Sequence, residues 1–98
     1  MSLPVAFHRA ASAEFIDALA WYETKRAGLG IEFLAEIDRC VSLASERPLQ
    51  FALVHGEVRR VVAHRFPYSI YFLAENHRIV VLAVFHGRRD PAAWQARA

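Results

Sequence analysis

The sequence predicts an α+β fold in which an antiparallel helical hairpin packs on one face of a small, mostly antiparallel sheet. In the first half of the chain, apolar residues recur at helical spacing on both sides of a glycine-containing break. In the second half, the spacing changes to the apolar runs and alternations that are typical of strands. The expected order of elements is β-α-α-β-β-β, in a single domain covering residues 1–98.

A short first strand is predicted at residues 5–8, followed by a helix at residues 13–26. Ser12 is the expected N-cap, because Glu14 and Asp17 follow it in the first turn, where the helix dipole favours anions. One arc of this helix is apolar and should face the sheet; its members are Phe15, Ala18, Leu19 and Tyr22.

The Gly28-Leu29-Gly30 segment should end the first helix, and a second helix should run from there to Pro48. This helix is strongly amphipathic. Its apolar face carries Phe33, Leu34, Ile37, Cys40, Val41 and Ala44, and its polar face carries Glu32, Glu36, Asp38 and Arg39. Since Cys40 is the single cysteine and lies on the apolar face, we interpret it as a small buried hydrophobic residue.

Three strands are predicted after a loop at residues 50–56, at residues 57–66, 68–73 and 78–86. Pro67 separates the first two strands, and a turn at residues 74–77 joins the last two as a hairpin. The last strand is apolar at successive positions, which indicates burial on both faces. Asp90 and Pro91 are expected to begin one final helical turn that carries Trp94.

Charge is distributed unevenly between the two halves of the chain. Residues 1–50 carry five basic and seven acidic side chains, a net charge of −2, and residues 51–98 carry seven and three, a net charge of +4. This asymmetry is compatible with an ordinary solvated surface and, equally, with a cationic surface for an acidic partner. Eleven of the twelve basic residues are arginines, which suit bidentate contacts with phosphate or carboxylate groups.

Alternation along the predicted strand at residues 57–66 separates two faces. We assign one set to the open face: Glu57, Arg59, Val61, Ala63 and Arg65. We assign the bulkier set to the core side: Val58, Arg60, Val62, His64 and Phe66. His86 ends the central strand just before Arg88 and Arg89, at a position where functional sites often form.

Glu57, Arg65 and His86 are candidates for a metal-free ribonuclease site. A carboxylate or an imidazole would act as general acid or base, and an arginine would neutralise charge on the transition state. The alternative, which spacing alone favours, is a surface ion pair of Glu57 with Arg59 or Arg65, with His86 at a strand end. The five histidines lack metal-ligand spacing, so we expect neither a metal nor a cofactor.

No signal peptide is visible, and the longest apolar run, residues 79–85, is too short to span a bilayer. We therefore expect a cytoplasmic protein without a membrane partner.

Nearly the whole chain resembles the RelE/ParE toxin superfamily, also called plasmid stabilisation proteins. In the second half, the resemblance rests on Arg59-Arg60, Arg65-Phe66-Pro67-Tyr68, residues 79–86, Arg88-Arg89, Pro91 and Trp94. In the first half, it rests on Trp21-Tyr22-Glu23, Gly28-Leu29-Gly30, residues 33–36 and Pro48. The resemblance implies the toxin of a type II toxin–antitoxin pair, neutralised by a small acidic antitoxin encoded beside it.

Two mechanisms occur in this superfamily. ParE-like members poison DNA gyrase and are not enzymes, whereas RelE-like members cleave mRNA on the ribosome. Arg65 and His86 match an arginine and a histidine of the YoeB-like ribonucleases, and Glu57 is a candidate match to their glutamate. However, the lysines of RelE are absent and no tyrosine follows His86. The final Arg-Arg-Asp-Pro and Trp94 are more similar to ParE-like members, which favours gyrase inhibition.

The resemblance also implies a partner-binding surface, for which the candidates are Arg59, Arg65, Tyr71, Arg88, Arg89 and Trp94. A homodimer or a hetero-oligomer with the antitoxin is expected. A third alternative is a small nucleic-acid-binding or interaction domain of the same fold with no toxicity.

Overall fold

Two long helices cover one face of a five-stranded sheet, as the sequence predicts. The computed structural model describes residues 2–98. In chain order, the elements are β1 (Val5–Phe7), α1 (Arg9–Lys25), α2 (Leu29–Glu46), a 3₁₀ helix (Pro48–Gln50), β2 (Leu53–His55), β3 (Val58–Val62), β4 (Tyr68–Ala74), β5 (Ile79–His86) and α3 (Ala92–Gln95). The strand order is β1-β5-β4-β3-β2. Only the β1–β5 pair is parallel within this sheet of residues 2–98.

Three boundaries differ from the prediction. Helix α1 begins at Arg9, because the Nδ1 atom of His8, and not Ser12, caps it by accepting the N–H of Ala10 at 3.1 Å. Residues 53–55, expected in a loop, form the edge strand β2. Strand β3 ends at Val62, because the chain then turns through Arg65, whose φ of 69° is incompatible with a continuing strand.

The helical hairpin is closed by Glu23, near the end of α1. Its two carboxylate oxygens accept the N–H groups of Gly28 and Gly30, each at 2.9 Å, and thus cap the start of α2. These two hydrogen bonds, that of Gly28 first, lower the pKa of the Glu23 carboxyl below its usual value. Gly28 has a φ of 89°, which glycine adopts at little cost. Among residues 2–98, no helix is long and apolar enough to cross a membrane.

Apolar side chains are buried on both faces of the sheet. The cluster under the helices includes Phe33, Ile37, Cys40, Ile70, Phe72 and Val81. The cluster on the opposite face consists of Val58, Leu82, Ala83, Phe85 and Trp94, with Tyr71 packed against it. Burial raises the pKa of the Cys40 thiol to about 11, and the neighbouring Glu36 adds to this effect, so that the thiol stays protonated.

A β-bulge explains why β5 is apolar at successive positions. Tyr71 pairs with Ala83, but the next residue, Phe72, pairs with Val81, which leaves Leu82 as the extra residue. Leu82 and Ala83 consequently both contact the cluster opposite the helices.

The predicted faces of the 57–66 segment are wrong at most positions of β3, although Val58 and Phe66, assigned to the core, are buried. Val61 pairs with Ile70 and is buried under the helices, together with Ala63, so this set is not the open face. Arg60 and Val62, assigned to the core, are exposed on the other face. The prediction was wrong because both sheet faces are partly covered, so bulk alone does not identify the helix side.

Gly30 of α2 packs tightly against α1. A Cβ atom at this position would lie 2.9 Å from the Leu19 carbonyl oxygen and 2.9 Å from Glu23 Oε1. We predict that Gly30→Ala forces the helices apart and lowers the free energy of unfolding by about 1–3 kcal/mol, the usual cost of overpacking. The control is Gly87→Ala, whose Cβ would meet only the Pro67 carbonyl oxygen at 3.6 Å. Urea unfolding measures both values, and equal stabilities for the two variants would contradict this account of the hairpin.

Candidate functional site

A cleft of about 290 Å³ lies between α1 and the C-terminal end of β5. It is lined by Glu14, Asp17, Ala18, Trp21, Tyr68, Val84, His86 and Arg89. Strand pairing places Tyr68 directly opposite His86, and their rings meet edge to face with centroids 5.2 Å apart. Trp21 stays 53% exposed at the rim and Asp17 is exposed, so the cleft offers an aromatic wall, an imidazole, a guanidinium and one carboxylate to solvent.

The polar groups of this cleft are suited to binding. His86 Nδ1 accepts the N–H of Arg88 at 3.0 Å, which leaves Nε2–H of the neutral ring as a donor. Burial raises the pKa of the Tyr68 hydroxyl, so this group stays neutral and is a poor base at ordinary pH. The arrangement therefore presents hydrogen-bond donors beside aromatic surface.

Glu14 organises the arginines around the end of β5. Its carboxylate accepts from both terminal nitrogens of Arg97, at 3.0 and 2.8 Å, and from Arg89 at 3.1 Å. The Arg89 guanidinium carbon also lies 4.2 Å from the centre of the Phe85 ring, a cation–π contact. Glu14 and Arg97 are only 12% and 14% exposed, so their ion pair is screened less than a surface pair.

A second aromatic surface lies on the sheet face opposite the helices. Trp94 of α3 stacks on Tyr71 with ring centroids 4.1 Å apart and an interplanar angle of 15°. The helix begins one residue later than predicted, with Pro91 rather than Asp90 at the N-cap, and Asp90 accepts the N–H of Ala92 at 3.0 Å. Two of the predicted partner-binding residues, Tyr71 and Trp94, are therefore in contact.

The turn between β3 and β4 is tied to α2 by two carboxylates. Glu32 accepts from Arg65 at 2.7 Å, and Glu36 accepts the backbone N–H of His64. Glu36 also forms a bidentate pair with Arg39, at 2.8 and 2.7 Å. The Arg39 hydrogen bonds are the main cause that lowers the pKa of Glu36 to about 2, and the His64 N–H contributes.

The structure does not bring the three predicted ribonuclease residues together. Glu57 precedes Val58, which pairs with Leu73, whereas His86 pairs with Tyr68 at the other end of β4. Five residues of strand separate these two positions, about 17 Å. The candidate convergence of Glu57 with His86, which spacing did not favour, is therefore not formed; the register places them at opposite ends of the sheet.

The predicted arginines lie in three different places. Arg65 is engaged by Glu32 in the β3–β4 turn, and Arg59 donates to the Phe51 carbonyl oxygen at 2.7 Å. Arg88 and Arg89 follow β5, where Arg89 contacts Glu14. The last pair follows His86 closely in sequence, and the β3–β4 turn that carries Arg65 reaches the same end of β5, where the Gly87 N–H donates to the Pro67 carbonyl oxygen at 2.8 Å.

Sequence reasoning missed the residues that α1 contributes to the cleft. Glu14 entered the sequence-based predictions only as a charge favourable to the helix dipole, and Trp21 only as part of the family resemblance. The signal available was the exposed position of Trp21 off the apolar arc. The contacts of Glu14 with Val84 and Arg97 span 70 and 83 residues, and no local pattern reveals them.

Comparison with known proteins identifies one family and one fold. The model of the ParE toxin of the type II toxin–antitoxin system parDE matches residues 5–91. A solved structure titled the chromosomal ParDE TA system from P. aeruginosa is similar with a TM-score of 0.70 and 20% sequence identity, covering 87% of this chain and 96% of that one. At this identity the likeness is one of fold. No curated protein matches the chain significantly.

The depressed pKa of Glu36 predicts acid sensitivity of the β3–β4 turn. Because the pKa is about 2 in the folded state and above 4 when unfolded, ionised Glu36 stabilises the fold above about pH 4.5. This contribution should disappear as the pH falls to about 2. We expect Glu36→Gln to flatten the decline of the unfolding free energy across this window, measured by urea denaturation. As a control, Glu75→Gln breaks an exposed pair with Arg78 and should leave the decline in place.

Proposed function

Because this chain belongs to the ParE toxin family of type II toxin–antitoxin systems, we propose that it inhibits DNA gyrase by binding, without being an enzyme. A cognate acidic antitoxin neutralises it, and the two form a hetero-oligomer in the cytoplasm, where gyrase acts. The single observation that carries the choice of mechanism is the separation of Glu57 from His86 along β4. A ribonuclease of the predicted type needs its acid, base and phosphate-binding groups within reach of one scissile bond.

The position of Arg65 also favours binding over catalysis. Its guanidinium is paired with Glu32 at 2.7 Å, so part of its charge is already offset before any phosphate approaches. Pre-organised charge is what transition-state stabilisation requires. Arg65 is therefore less suited to neutralising a transition state than an unpaired guanidinium would be.

The end of β5 is the surface that we assign to the partners. Arg88 is exposed and forms no ion pair among the residues of the described chain, and it follows His86 at the mouth of the cleft. Arg89, Trp21 and Tyr68 add a guanidinium and two aromatic rings, the residue types enriched in binding hot spots. The exposed guanidinium of Arg88 is suited to an acidic antitoxin segment.

The alternative is a ribosome-dependent endoribonuclease. The observation that favours it is that His86, Tyr68 and Arg89 line one cleft, which offers an imidazole and a guanidinium to a phosphate. In this alternative the Glu57 of the predicted site has no part, and the acid–base pair would have to come from the cleft itself.

Purified protein should inhibit DNA gyrase supercoiling, and Arg88→Glu should raise the half-inhibitory concentration roughly tenfold, the effect of losing one interface hot spot. The matched control is Arg78→Glu, a charge reversal at the opposite end of β5. Equal loss in both variants would indicate a non-specific charge effect. No inhibition by the parent protein at micromolar concentration would reject gyrase as the target.

Translating ribosomes provide the second test. We expect mRNA to remain intact when the protein is added to a translation reaction, because Glu57 and His86 lie at opposite ends of β4. Cleaved transcripts that disappear with His86→Ala would establish the ribonuclease alternative. Cleavage that persists in this variant would point to a contaminating nuclease and leave the gyrase result to decide.

A further inference from the structure

Five of the eight residues of β5 lack a neighbouring strand on one side. Strand β1 pairs only with Ile79 to Val81, and the N–H of His8 then donates to the Val81 carbonyl oxygen at 2.8 Å. Beyond this point, the backbone groups on that side of β5 have no strand to bind among residues 2–98. Exposed strand edges of this kind template unwanted pairing unless something covers them.

Two side chains occupy this edge in place of a strand. Glu14 accepts the N–H of Val84 at 3.1 Å, and Arg97 donates to the Leu82 carbonyl oxygen at 2.9 Å. The same two side chains bind each other through both carboxylate oxygens, the strong fork-like geometry of arginine and carboxylate pairs. The edge is therefore closed by a side-chain pair that joins α1 to the chain after α3.

The C-terminal segment that Arg97 binds to β5 contains a buried hydrogen-bond donor without an acceptor. Trp94 is only 3% exposed and stacks on Tyr71, yet its indole N–H has no acceptor within the described chain. A buried donor without a partner loses the hydration that it would have in water. Docking of the indole is thus favoured by packing and opposed by this unpaired N–H.

We propose that residues 90–98 form a detachable strap over β5, with the Glu14–Arg97 pair as its catch. When the pair is made, the strap covers Leu82 and Phe85 and closes the strand edge. When the pair breaks, the Trp94 indole leaves the sheet and its N–H is hydrated. This hydration offsets part of the packing free energy that is lost on opening. The open strap exposes Tyr71, Phe85 and the free edge of β5 together.

This proposal does not depend on the target of the protein. It concerns a local equilibrium of the free chain, and structural measurements alone can test it. The Trp94 indole N–H and the Gln95 amide are the reporters, because neither contacts Glu14 and the Gln95 amide donates to Pro91 in the closed state.

Hydrogen exchange of the full chain, followed by NMR, provides the test. In Glu14→Ala and in Arg97→Gln, the Trp94 indole and the Gln95 amide should exchange roughly tenfold faster than in the parent, which corresponds to the loss of one charge-assisted contact. Amides of Ile37 and Phe72 should be unchanged, because the strap opens without unfolding the core. The control is Asp17→Ala, which removes another carboxylate of the same helix and cleft.

Two results would overturn the strap. One is an unchanged exchange rate at Trp94 in both variants, which would mean that the Glu14–Arg97 pair does not stabilise the closed position of residues 90–98. The other is a parallel rise at Trp94, Ile37 and Phe72, which would make the ion pair a contributor to global stability only. If Glu14→Ala does not fold, Arg97→Gln decides alone, since Arg97 lies after the last helix.

Discussion

Burial of β5 on both faces is the constraint on which the rest of the structure depends. The helices cover one face, and Phe33, Ile37 and Cys40 meet Val81 there. The other face would be left apolar and open if the chain ended with the strand. The α3 turn closes it by placing Trp94 on Tyr71, and the bulge at Leu82 supplies the additional apolar contact. One strand therefore dictates the positions of three helices.

Charge complementarity within the chain accounts for much of the asymmetry between its two halves. Glu14 binds Arg89 and Arg97, and Glu32 binds Arg65, so acids of the helical half neutralise arginines of the sheet half. A partner meets only what remains exposed, of which Arg88 is the clearest case. The excess positive charge of residues 51–98 therefore overstates the cationic surface available for binding. Arg65, Arg89 and Arg97 first of all stabilise the fold through these ion pairs.

The sequence predicted the fold because its strongest signals are local. Helical spacing, the break around Gly28 and the apolar run of β5 each concern neighbouring residues, and the structure confirms the α+β arrangement that they imply. The candidate site was less predictable, because it depends on register and long-range contacts. Two-residue alternation placed Arg59 and Arg60 on different faces of the strand. It did not indicate which of these faces the helices would cover. Contacts of Glu14 with residues 70 or more positions away leave no local pattern.

Strand β1 has a consequence for the order in which the domain assembles. The helical hairpin needs only local contacts, such as the hydrogen bonds from Gly28 and Gly30 to Glu23, and can form as soon as α2 exists. Strand β1, by contrast, has no partner until Ile79 to Val81 are made, and this parallel pairing closes a very long loop. We therefore expect β1 to dock late, after the β3–β4–β5 meander. During synthesis, β1 must remain unpaired until residues 79–81 have left the ribosome.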